Sequence, residues 1–263
     1  MKKLRFHYEM QLTFDAAVAE HHFLFRFLPM KENGQECYGL RYGIEPSGKL
    51  HELTDGFGNR TCAGEAMEPH NSLEVWAEGT VFVDRSKTRK EDCHLLFSFP
   101  SAYTKADKAL VTYLEERSQI WKGEKTEENS DMDFLFFLMN GLYQDFSYVP
   151  GKTNISTTAS QAWAGRAGVC QDYAHIFLAL CKLHGYAGRY VAGMMVGEGA
   201  THAWTEIYVN GSWIGFDPTN NCLADDNYIK LSHGRDFGDC TIDRGCFKGF
   251  ASQQQNIYVK VED

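Results

Sequence analysis

A cysteine, a histidine and an aspartate stand in three segments whose local patterns would carry them to one place. Cys170 lies in RAGVCQDYAH, directly ahead of QDYAHIFLALCKLH, the most helix-like stretch of the chain, which runs to Gly185. The spacing predicts a helix over about 170–184 with Gly185 as its stop. A thiol at a helix start faces backbone N–H groups without an intrahelical acceptor and the positive end of the helix dipole. Both favour thiolate over thiol. The same N–H groups can bind a developing oxyanion, each such donor being worth about 3–4 kcal/mol. Gly168 is expected to allow a tight or left-handed turn before the sulfur. A free cysteine more often packs as a small hydrophobe. Cys181, mid-helix among Leu178, Leu180 and Leu183, reads that way, and the other six cysteines carry no separate role.

The base and its orienter come from HAWTEIYV-NG-SWIGFD. Asn210-Gly211 between two alternating runs is a strong signal for a two-residue type I′ hairpin. That turn sets the register, with Val209 facing Ser212, Tyr208 facing Trp213 and Trp204 facing Asp217. His202, two residues beyond Trp204, shares a strand face with it and is a diagonal neighbour of Asp217. Diagonal neighbours stand roughly 7–8 Å apart, within reach of an imidazole and a carboxylate. One extra turn residue would put them on opposite faces. In this arrangement Asp217 accepts one ring N–H of His202, and the other ring nitrogen takes the proton of Cys170. The thiolate attacks a carbonyl carbon and the imidazolium protonates the departing amine. Each residue also has a plainer reading: a strand histidine usually packs, and Asp before Pro218 can simply open a turn.

The elements that must position these residues are legible in outline. Leu4, Phe6, Tyr8, Met10, Leu12 and Phe14 alternate with polar residues, the period of a half-buried strand. Similar runs follow at HHFLFRFLP, CYGLRYGI, LEVWAEGTVFV and CHLLFSF, divided by turns such as PSGK at 46–49 and DGFGN at 55–59. These predict an N-terminal antiparallel β-sandwich over residues 1–100. Helical spacing follows over 104–121 and 131–146, with the charged KGEKTEENSD between them expected as a solvated loop. The segments GRYVAGMMV, HAWTEIYV, SWIGFD and QNIYVKV then read as strands, giving an α+β domain over 101–263.

Composition narrows the classes. The chain has 263 residues, 43% of them hydrophobic and 23% charged, as in an ordinary globular protein. A net charge of −9 argues against a nucleic-acid partner and against docking on anionic membranes. The start lacks the pattern of a secretory leader and no apolar run approaches a membrane span, so a cytoplasmic location with reduced thiols is expected. His21-His22 and the Cys222, Cys240, Cys246 group lack zinc-site spacing, so no metal and no other cofactor is expected.

GVCQDYAHIFLALCKLHGYAGRYVAG followed by THAWTEIYVNGSWIGFDPTNN resembles the core of the bacterial transglutaminase-like proteins, of the transglutaminase and papain-type superfamily of cysteine enzymes. The likeness extends upstream to FSYVPGKTNISTTASQAW, downstream to LSHGRDFGDCTIDRGCFKGF and IYVKV, and to an N-terminal β-region. It implies a papain-like fold for the second domain and catalytic roles for Cys170, His202 and Asp217. An aspartate as orienter, where papain-like proteases use asparagine, matches the transglutaminase branch. The second oxyanion donor is not placed by the resemblance. Trp163 and Gln161 are candidates, with a supporting helix as their plainer reading; Trp204 and Met194 are candidates for contact with substrate. HGRDF is expected to hold an Arg235–Asp236 salt bridge. The implied reaction is acyl transfer through a thioester on a peptide or protein amide substrate. Hydrolysis is expected, as in a peptidase or amidase; a protein-glutamine transglutaminase and a catalytically silent peptide-binding scaffold are the alternatives.

Overall fold

Residues 1–87, 90–124 and 130–263 are described by the computed structural model. The alternation at the start becomes β1 (Lys2–Phe25), a single strand twice the expected length. Leu4, Tyr8, Met10 and Leu12 are completely buried, whereas Arg5, His7, Glu9, Gln11 and Thr13 are not. Each such large apolar side chain contributes about 1.5–3 kcal/mol as an upper estimate, so this stripe fixes which face turns inward. Around β1 gather β2 (Gln35–Glu45), β3 (Lys49–Thr54), β4 (Arg60–Ala66) and β5 (His70–Val83). The first half of β1 pairs with β5; past an irregularity between Thr13 and Val18, its second half pairs with β4. One strand thus serves both halves of the N-terminal β-region. The turn at DGFGN joins β3 to β4 as expected, with Asp55 accepting the N–H groups of Phe57 and Asn59.

CHLLFSF is not a strand. It holds a short 3-10 turn at Leu95–Ser98, where His94 Nδ1 accepts the N–H of Leu96 at 3.1 Å. The local side-chain bond offers the backbone an alternative to a ladder, and Phe97 turns inward against Trp213.

The second half of the chain supplies α1 (Lys108–Glu124), α2 (Asp131–Asp145), β6 (Ser147–Tyr148), α3 (Ala159–Gly165), β7 (Ala167–Gly168) and α4 (Cys170–His184). Residues 125–129 of the expected charged loop lie outside the described residues. β8 (Gly188–Met195), β9 (Gly197–Gly199), β10 (His202–Val209), β11 (Ser212–Asp217), β12 (Cys222–Leu223) and β13 (Tyr228–Gly234) follow, then α5 (Phe237–Cys240), β14 (Asp243–Lys248) and β15 (Gln253–Glu262). Five of these strands form an antiparallel sheet in the order β12-β11-β10-β8-β13. α4 packs on it with Ile176, Phe177, Leu178 and Leu180 fully buried.

The end of the chain crosses the expected boundary at residue 100. β14 and β15 return to the N-terminal sheet, where both pair with β1, and β15 also pairs with β9. The cause is a long-range ladder: Phe6 to Phe14 of β1 face Val261 to Gln253 without a break. No helix among the described residues is long and apolar enough to cross a membrane.

Candidate active site

α4 begins at Cys170 and stops at Gly185, whose φ of +103° closes the helix in the left-handed region. Its start is secured from within. The Asp172 carboxylate accepts the N–H of Val169 at 2.7 Å and the hydroxyl of Thr153 at 2.6 Å. Burial nonetheless pushes that carboxyl above its ordinary range. Gly168 is needed for a reason other than the one its sequence position suggests. Its backbone is not left-handed; instead a Cβ there would stand 2.3 Å from Asp172 Oδ2. Cys170 is therefore held at the first helical position, among the first-turn N–H groups that no helical carbonyl reaches.

The hairpin forms as its turn chemistry requires. Asn210 and Gly211 take φ values of +51° and +84°, and Val209, Tyr208, Ile207, Glu206 and Thr205 face Ser212 through Phe216 in order. The parity puts His202 and Asp217 on one face, and His202 Nε2 meets Asp217 Oδ2 at 2.7 Å. Cys170 lines the same pocket as this imidazole. With Nε2 on the carboxylate, Nδ1 is the ring nitrogen available to another partner. Burial alone would drive this ring toward neutrality, but its interactions with Asp217 and Cys170 outweigh it and raise its pKa from 6.5 to about 10. Asp217 is shifted the other way. Burial opposes its charge, yet His202, Asn220 and Tyr228 together hold the carboxyl below its ordinary range.

Asp217 is completely buried and accepts on both oxygens. Oδ1 takes the backbone N–H groups of Thr219 and Asn220 at 3.0 and 3.2 Å. Oδ2 takes Asn220 Nδ2 at 2.7 Å and the Tyr228 hydroxyl at 2.8 Å in addition to His202. Asp217 thus accepts the two backbone N–H groups of the turn on Oδ1 and the imidazole of His202 on Oδ2.

Two pockets meet at this group. One, of about 250 Å³, is lined by Cys170 and His202 together with Tyr148, Glu198 and Val259. The other, of about 670 Å³, lies beside Tyr143, Phe146, Tyr173 and Asn220. Tyr148, Met195 and His202 line both and so form the ridge between them. The parallel pairing of β6 with β7 brings Tyr148 alongside Gly168.

The lesser candidates fall elsewhere. Trp163 is 2% exposed, lies against the ring of Tyr113 and carries Arg166 on its face at 3.5 Å. Gln161 turns back to accept the N–H of Thr158 and caps α3. Neither lines the two pockets. Met194 is fully buried, and its neighbour Met195, on the opposite strand face, reaches the cleft instead. Trp204 is buried behind His202, with ring centroids 6.3 Å apart, and so backs the imidazole without facing the cleft. Arg235 pairs with Asp239 at 2.8 Å, not with Asp236, which caps α5. His175 is packed between Tyr103 and Tyr190 and accepts the N–H of Phe237.

Tyr228, Asn220, Tyr148 and Val259 were not legible as site residues. The only local hint was Asn220 three positions after Asp217, a spacing suited to an Asx turn.

The comparisons agree with this architecture. Residues 118–218 match the model of the transglutaminase-like superfamily, and residues 4–82 match that of the bacterial transglutaminase-like N-terminal region. The chain belongs to the transglutaminase-like superfamily. An uncharacterised protein of Mycobacterium leprae is 33% identical over 90% of this chain and 90% of its own. One of Mycobacterium bovis is 28% identical over 82% of this chain and 78% of its own. The crystal structure of a Cytophaga hutchinsonii protein, called a putative cysteine protease, shares the fold. It superposes with a TM-score of 0.78 over the whole of this chain and 91% of its own, at 22% identity.

Proposed function

We propose that this protein is a cysteine-dependent enzyme that transfers acyl groups from amide bonds through a thioester, and that water is its acceptor. The observation that carries the reading is the His202–Asp217 contact of 2.7 Å on a ring that lines one pocket together with Cys170. Membership of the superfamily supports cysteine-based chemistry, as does the description given to the Cytophaga hutchinsonii protein.

In this reading the ring is an imidazolium at neutral pH and serves as counter-ion to the Cys170 thiolate. The sulfur attacks the amide carbon, and the oxyanion turns toward the first-turn N–H groups of α4. Nδ1–H of His202 then gives its proton to the departing amine, leaving a thioester on Cys170. The neutral ring next takes a proton from water, whose hydroxide attacks the thioester carbon and releases the acid and the thiolate. Asp217 keeps Nε2 protonated throughout. The pocket that Cys170 itself lines, about 250 Å³, has room for water beside the sulfur, and this supports hydrolysis.

The test is alkylation by iodoacetamide near neutral pH, read by peptide mass mapping. Rapid modification confined to Cys170, and suppressed in His202→Ala, is expected. Slow labelling with an ordinary thiol pH profile would point to a silent peptide-binding scaffold. A peptide and amide screen with and without added amines then separates release of acid from formation of a new amide, the product a protein-glutamine transglutaminase would give.

A further inference from the structure

Asp217 Oδ2 receives three donors from three places: His202 Nε2 on β10 at 2.7 Å, Asn220 Nδ2 in the following turn at 2.7 Å, and the Tyr228 hydroxyl on β13 at 2.8 Å. Oδ1 receives two more. A carboxylate offers about four lone-pair sites in all, so five donors oversubscribe it and the crowding falls on Oδ2. Donors sharing one oxygen weaken one another, because each draws density from the same atom.

We propose that Tyr228 is a positioning residue whose hydroxyl competes with His202 for Asp217 Oδ2, and so sets how tightly the imidazolium keeps its proton. The inference rests on the triad reading above. Turnover needs that proton to leave: an imidazolium held too firmly by the carboxylate is a poor acid toward the departing amine. Asn220 cannot be tuned in the same way, since its own backbone N–H ties it to the turn.

The surroundings fit this role. Tyr228 is 4% exposed, its ring is edge-on to Trp204 at 5.3 Å and lies 6.2 Å from that of His202. Its position is therefore packed, and its hydroxyl lies among acceptors. Cys222 Sγ stands 3.5 Å from the same phenolic oxygen, so with the hydroxyl proton on Asp217 the thiol is left to donate. The titratable groups facing the cluster are His202 from β10, Cys222 from β12, Tyr228 from β13 and Cys170 from α4, with Asp225 beside Cys222. Burial and the neighbouring Asp217 charge raise the Tyr228 phenol above its ordinary range, so it stays a donor.

The experiment is proton and nitrogen NMR of the His202 ring in the whole protein, labelled on histidine and titrated alongside the pH profile of Cys170 alkylation. Tyr228→Phe keeps the ring packing and removes the donor. Its Nε2–H resonance is expected farther downfield, its His202 titration at higher pH, and its turnover lower by about two- to tenfold, the value of one hydrogen bond. Replacing Tyr228 by 3,5-difluorotyrosine, a stronger donor, is expected to move the resonance and the titration the opposite way. A melting curve shows whether either variant is merely destabilised. If resonance and titration are unchanged in both variants while His202 and Cys170 still titrate together, Tyr228 is structural and the proposal is overturned. If His202 and Cys170 titrate independently in the unaltered protein, the triad reading falls and this inference with it.

Discussion

Val259 of β15 lines the same pocket as Cys170. The strand that carries it is bonded along its length to β1 of the N-terminal sheet, and its outer edge holds β9, the segment just before His202. The sheet built on β1 thus carries a wall of the cleft, through β15.

A chain reduced to residues 101–263 is therefore expected to lose function even if its helices form. Without β1, β15 has no inner partner and β9 loses its anchor. Hydrogen exchange should show residues 197–199 and 253–262 unprotected in the fragment and protected in the whole protein. In the whole protein, Val259→Ala is expected to cost about 1–3 kcal/mol in denaturant unfolding, since the side chain is 2% exposed.

Gly168 and Asp172 make a linked pair. Gly168→Ala places a Cβ against Asp172 Oδ2, which must leave Val169 and Thr153. A loss of about 1–3 kcal/mol is expected, with slower alkylation of Cys170. Adding Asp172→Ala removes the carboxyl atoms at 2.3 and 2.7 Å and leaves only the Cβ at 2.8 Å, so the double variant should be less destabilised than the sum of the singles. Additive losses in a thermodynamic cycle would contradict the cap.

Asp217→Asn tests the orienter. The amide can still fill the site, but it supplies no negative charge to hold the imidazolium and can present N–H where His202 needs an acceptor. Hydrolysis is expected to fall by about 10²- to 10⁴-fold, with Cys170 alkylation losing its enhancement near neutral pH. Rates within threefold of the parent, about 0.65 kcal/mol, would remove Asp217 from the mechanism.

Stability should follow the same charges. His202 is raised from 6.5 to about 10, so its contribution is complete below about pH 6.5 and disappears as pH climbs through about 10. Asp217 is lowered from 3.8, so its contribution is complete above about pH 3.8 and is lost as pH falls through its folded value. Their joint stabilisation is greatest between those two ordinary values. Urea unfolding of the protein and of His202→Gln across pH 4–10 checks this: the gap between them is expected to narrow toward pH 10. A gap that widens in that direction would mean the ring is neutral when folded.

The sequence by itself determined whatever depends on near neighbours. Asn210-Gly211 prefers positive φ at both positions, and strand parity does the rest, so His202 and Asp217 share a face before any packing is known. The bounds of α4 follow in the same way from apolar spacing and a glycine stop. Tertiary structure decided what depends on distant pairing. Tyr228 reaches Asp217 because β13 adds to β8 across the sheet, and Val259 reaches the cleft because β15 crosses back to β1. Met195 replaces Met194 at the cleft because burial against the core settles which face of β8 turns inward. Turn chemistry and alternation act over a few residues, whereas the order of strands in a sheet is set by the burial of whole faces, which no short segment encodes.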